Sequence, residues 1–153
     1  MKRLIPAVMV LLLPGLLLAG ADRYVERYPL PDGRSAVVAE GDMEPRSMGS
    51  YSVRFYRKNS PDFPTDDFQD GIILSRDGFI QKATFADIDD DNVPDLVIFI
   101  RSAGSGGYLS ADAISVHHDK PVVVARVTNL PPDADAVAVL RMEHKTSQKK
   151  NSL

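Results

Sequence analysis

The sequence contains no cysteine. Disulfide staples, cysteine nucleophiles and thiolate metal sites are therefore excluded, and an exported chain of this size must be held by its core, alone or with a bound cation. It has no internal repeat, which argues against propellers and solenoids. No glycine-rich stretch carries the lysine that a phosphate-binding loop demands. Beyond the N-terminal segment there is no apolar run of membrane-spanning length and no convincing long helical pattern. Acidic residues outnumber basic ones, 21 Asp and Glu against 18 Lys and Arg. That balance makes nucleic acid a poor partner and a basic protein a suitable one.

What is present begins with an export signal. Lys2 and Arg3 precede an apolar run from Leu4 to Leu18, which ends in Ala19-Gly20-Ala21. This order of basic head, apolar middle and small-residue end is that of a secretory signal peptide cleaved after Ala21. The run is short for a membrane anchor and is interrupted by Pro14 and Gly15. With no cysteine after the small residues, lipid anchoring is excluded. The 132 residues that remain carry 16 basic and 21 acidic side chains, a net charge of −5. They suffice for one domain with a real core. The expected organisation is a signal peptide at 1–21, a single domain at 22–144 and a disordered polar tail at 145–153.

The mature segment reads almost wholly as strands. "RYVERYPL" alternates and stops at Pro31-Asp32-Gly33, after which "SAVVAE" returns as the second arm of a hairpin. In "SYSVRFYRK", Tyr51, Val53 and Phe55 share one face and Ser52, Arg54 and Tyr56 the other. "GIILS", "FIQKATFADI", "YLSADAISVHH" and "VVVARVT" continue the pattern. Leu96 to Ile100 is continuously apolar, as expected of a central strand buried on both faces. "ADAVAVLRMEH" suits either a helix or, by the alternation of Val137, Val139 and Arg141, an edge strand. The strand is preferred, and such an edge at 136–142 would be available to pair across a homodimer. Seven to nine short strands without a long helix predict an all-β fold, an antiparallel β-sandwich or small barrel.

Two stretches carry chemistry. In "DIDDDNVPDL", Asp87, Asp89, Asp91 and Asp95 occupy positions 1, 3, 5 and 9 of a D-x-D-x-D-x-x-x-D pattern. Alternating carboxylates let a curled backbone aim hard oxygen ligands at one point, as Ca²⁺ requires. Asn92 stands where glycine is usual, and position 12 is the apolar Ile98 rather than an acid. The segment is more similar to the strand-flanked calcium loops of integrin-type propeller repeats than to an EF-hand. Two readings stand: a structural Ca²⁺ site, or an aspartate-rich turn capping its own amides. The first would also suit a calcium-dependent carbohydrate-binding or adhesion module.

The other stretch is "RSAGSGGYLSADA", residues 101–113, directly after the most apolar strand. Its A-x-S-x-G core approximates a hydrolase nucleophile elbow, but "YLSADAISV" behind it has strand periodicity, and that motif needs a helix there. Ser105-Gly106-Gly107-Tyr108 reads instead as S-G-x-Y, and this motif resembles the loop of the periplasmic lysozyme inhibitors. "PLPDGRSAVVAEGDMEPRSMGSYSVRFYR" and "ATFADIDDDNVPDLVIF" resemble the branch that inhibits invertebrate-type (I-type) lysozyme, so the likeness covers most of the mature chain. The resemblance implies a periplasmic protein that is not an enzyme and has lysozyme as its partner. It implies that Ser105 and Tyr108, on a loop thinned by Gly106 and Gly107, occupy the lysozyme's catalytic cleft. A second loop, with Arg46, Ser47 and Tyr51, is a candidate neighbour of the first.

Overall fold

The structure, a computed structural model, describes residues 23–151; the predicted signal peptide at 1–21 lies outside them. Eight antiparallel strands form two sheets of four, followed by one helix. The first sheet is a meander of β1 (Val25–Pro29), β2 (Ser35–Glu40), β3 (Met48–Tyr56) and β4 (Phe68–Asp77). The second runs β5 (Phe79–Ala86), β6 (Asp95–Arg101), β7 (Leu109–Ser115) and β8 (Val122–Leu130), and the helix α1 spans Ala136–Asn151.

The period-two pattern decides which side chains meet between the sheets. Tyr51, Val53 and Phe55 of β3 are fully buried and cluster with Ala36 and Val38 of β2 and with Leu96, Ile98 and Ile100 of β6. This is the core of a β-sandwich. Polar stitches join the sheets at both ends. The buried Glu40 carboxylate accepts from the Ile80 amide at 2.7 Å, and Arg34 donates to the Val116 and His118 carbonyls.

The other face of β6 explains the helix. Val97 and Phe99 point away from the sandwich into a second cluster with Ala111, Ala113, Ala125, Val127, Ala136 and Leu140. The small side chains of Ala111, Ala113 and Ala125 on β7 and β8 leave room for α1 to lie close against the sheet.

Residues 136–142 are therefore helical, which corrects the preference for an edge strand and removes the edge that would have been available for pairing across a homodimer. Asp135 sets the helix start: its carboxylate accepts from the Ala138 amide at 3.1 Å and its carbonyl from Val139 at 3.1 Å. Ala136 and Leu140, one turn apart, are the helix's buried residues. Of the tail at 145–153 expected to be disordered, residues 145–151 complete the helix and 152–153 lie outside the described residues; Lys145 Nζ lies 3.0 Å from the Asp90 carboxylate. Lys149 and Lys150 sit in its last turn, where cations complement the helix dipole.

Helical and strand readings predict different stability patterns. A strand would put Leu140 and Met142 on one face; in the helix Leu140 is buried and Met142 is 62% exposed. Leu140→Ala is expected to cost about 2–5 kcal/mol in urea unfolding, by loss of packing and the cavity left behind. Met142→Ala should change stability by no more than about 0.5 kcal/mol.

Candidate functional site

The S-G-x-Y stretch is the hairpin between β6 and β7, and the backbone shows why it is built from glycine. The Ser102 amide donates to the Tyr108 carbonyl at 2.9 Å, closing the hairpin. Within it the Gly107 amide donates to the Gly104 carbonyl at 3.1 Å, and the Gly104 amide to the Ser102 hydroxyl at 3.2 Å. Gly107 has φ +52°, in the left-handed region. A Cβ on Gly106 would lie 2.5 Å from a ring carbon of Tyr108, so the phenol ring lies across this residue and would have to move to admit a side chain there.

Ser105 is exposed at the tip and Tyr108 is 51% exposed, so an outward hydroxyl and a half-open aromatic plate share one hairpin. Ser105 is followed by β7 rather than a helix, which removes the nucleophile-elbow reading.

A second loop abuts the root of this hairpin through the β4–β5 turn. Arg76 is buried, and its guanidinium donates to the carbonyls of Ser50 (2.9 Å), Arg46 (2.9 Å), Pro45 (3.1 Å) and Gly78. The Glu44 carboxylate accepts from the Ser50 amide and hydroxyl, bonds that hold its pKa below the usual range, helped by nearby Arg76 and Arg23. The Gly78 amide donates to Ser47 O at 2.8 Å, and a Cβ on Gly78 would lie 2.0 Å from Arg101 O. Loop, turn and hairpin root are thus in direct succession.

Arg46 and Ser47 are exposed on this loop. Tyr51 is fully buried instead, its hydroxyl donating to Asp112, so it belongs to the core and not to the loop surface. Sequence reasoning missed Met43, 98% exposed at φ +61°, and Met48, 60% exposed. Nothing in the local pattern distinguishes two exposed methionines from buried ones.

The aspartate loop connects β5 to β6 and so sits at the opposite end of β6 from the hairpin. Carboxylate oxygens of Asp87, Asp89 and Asp95 come within 4.8 Å of one another. Asp91 lies outside that group and accepts from the Val93 amide at 2.7 Å. Asp90 and Asn92 adopt positive φ, +62° and +67°. Much of the loop's hydrogen bonding serves its own backbone, Asn92 N to Asp87 at 3.1 Å and Ile88 N to Asp95 at 3.0 Å. Asp87, Asp89 and Asp95 are the residues that could hold a hard cation.

Burial, followed by repulsion from Asp89, Asp91 and Asp87, pushes the Asp95 carboxyl up to about 6 against the Ile88 hydrogen bond. A folded-state pKa above the unfolded value of 3.8 means that stability from this group is present below about pH 4 and is lost as pH rises through 6. Asp95→Asn should therefore flatten the pH dependence between 4 and 6 and raise the stability of the cation-free protein at pH 7. Urea unfolding of both proteins across that range measures the difference.

The comparisons with known proteins agree with this architecture. A family model described as periplasmic lysozyme inhibitor of I-type lysozyme matches residues 22–144. The crystal structure of such an inhibitor from Aeromonas hydrophila is 40% identical and covers 76% of this chain and 98% of its own, with a TM-score of 0.72. The Aeromonas hydrophila inhibitor solved in complex with Meretrix lusoria lysozyme is likewise 40% identical, covering 77% and 95%, with a TM-score of 0.72. Among curated proteins no relative matches. This chain belongs to the family of periplasmic inhibitors of I-type lysozyme.

Proposed function

We propose that the Ser105–Tyr108 hairpin enters the active-site cleft of an I-type lysozyme and blocks it, protecting peptidoglycan in the periplasm. The chain is a proteinaceous inhibitor and not an enzyme, as its family is. The observation that carries the cleft-entry reading is the exposed, glycine-thinned tip bearing Ser105 and the half-exposed Tyr108. The relative solved with Meretrix lusoria lysozyme supports the class of partner.

The chemistry of the tip suits such a cleft. Lysozymes present two carboxyl groups across a groove shaped for sugar rings, one of them protonated as general acid. A serine hydroxyl can donate to the carboxylate or accept from the carboxylic acid, so Ser105 can satisfy either. Tyr108 offers an apolar plate with a polar end and few rotatable bonds, the side-chain type that often dominates interface energy. The Tyr108 ring lies across Gly106, a position that leaves about half of it open to a partner.

The aspartate loop stands one strand length away, roughly 20 Å for the seven residues of β6. In this reading a calcium ion there is structural, and the alternative of a calcium-dependent carbohydrate or adhesion module receives no support from the family match.

Ser105→Ala and Tyr108→Ala should each leave the unfolding midpoint unchanged and weaken inhibition of a purified I-type lysozyme by about 1–3 kcal/mol. An unaltered inhibition constant for the double variant would overturn cleft entry. Chelation with EDTA should leave the inhibition constant unchanged, measured in the same lysis assay.

A further inference from the structure

We infer that Arg101 is the positioning residue of the inhibitory hairpin, clamping its backbone in the shape that enters the cleft; the inference rests on the cleft-entry reading above. Within the hairpin, one backbone hydrogen bond closes the mouth and another forms the turn. Three of its residues, Gly104, Gly106 and Gly107, are glycines. Glycine loses more conformational freedom on ordering than any other residue, so a tip of this composition needs an external hold to be rigid before binding.

Arg101, the last residue of β6, is in a position to supply it. Its Nη1 donates to the Gly107 carbonyl at 2.7 Å, the residue with positive φ immediately before Tyr108. The same nitrogen donates to the Pro132 carbonyl at 3.1 Å, in the segment leading to α1. Nε and Nη2 both donate to Gln81 Oε1 on β5, at 3.3 and 3.0 Å. One planar guanidinium thus ties the hairpin to a neighbouring strand and to the helix approach. The fixed fork of donors makes this a task that lysine does not reproduce.

The hold acts on the side chain that matters. Gly107 lies between Gly106, over which the Tyr108 ring lies, and Tyr108 itself. Releasing the Gly107 carbonyl frees the turn that sets where both the ring and Ser105 point. The cost would appear on binding, as ordering entropy paid at the interface.

Arg101→Ala is expected to weaken inhibition roughly ten- to a hundredfold, the range for losing charge-assisted hydrogen bonds. Amide hydrogen exchange at Gly107 should become faster, with the exchange of core strand amides unchanged. Combined with Tyr108→Ala, the loss should be less than additive, because both changes remove the same contact. Additive losses would show Arg101 touching lysozyme on its own account, and an unchanged inhibition constant would show no role; either overturns the inference. If Arg101→Ala fails to fold, Arg101→Lys and Gln81→Ala test the same clamp, and full inhibition by both would overturn it. If the Ser105 and Tyr108 variants inhibit normally, cleft entry itself has failed; if only the Arg101 variants do, the clamp alone has failed.

Discussion

The structure depends on keeping one strand dry on both sides. Leu96 to Ile100 of β6 are all buried, three side chains facing the sandwich core and two facing the helix. A strand with apolar side chains on both faces cannot lie at the surface of a two-layer sandwich, so a third layer is required over the second sheet. The helix α1 is that layer. It has few apolar residues of its own, and its place is set by Leu140 and Ala136 fitting the shallow, alanine-lined surface of β7 and β8.

The same strand separates two chemically different ends. Its start is held by the aspartate loop, whose Asp87 carbonyl and Asp90 carboxylate are bound by Arg141 and Lys145 of the helix. Its end leads directly into the glycine-rich hairpin through Arg101. A strand buried along all but its last residue is a suitable base for a loop proposed to enter a lysozyme cleft, since sites supported by regular elements are held more precisely than those on long loops.

Polar groups inside the sandwich are paired with one another. Asp112, nearly inaccessible, is met on both sides: Arg126 donates to its two oxygens at 2.6 and 2.9 Å, and the Tyr51 hydroxyl donates as well. Burial and then the Asp112 charge keep the Tyr51 phenol protonated far above its usual range. Removing one member would leave a buried charge or hydroxyl unpaired, which costs more than the intact network contributes. Arg76 and Glu40 do comparable work at the hairpin end, joining loop to turn through the Ser50 and Arg46 carbonyls and sheet to sheet through the Ile80 amide.

Strand periodicity, turn residues and the doubly apolar run of β6 were legible in the sequence because side-chain direction in a strand is a local property with period two. The S-G-x-Y hairpin was legible for a similar reason: its glycines answer to a contact with Tyr108 two residues away and to a positive φ, both within the loop itself. The helix at the C-terminus was not, because "ADAVAVLRMEH" satisfies both periods and only the alanine-lined seat on β7 and β8, far off in sequence, selects one. Nor were the roles of Tyr51, Arg76 and Arg101. Each is one residue of a strand, and what it bonds to lies largely on other elements, so only the folded arrangement decides whether it is core, brace or surface.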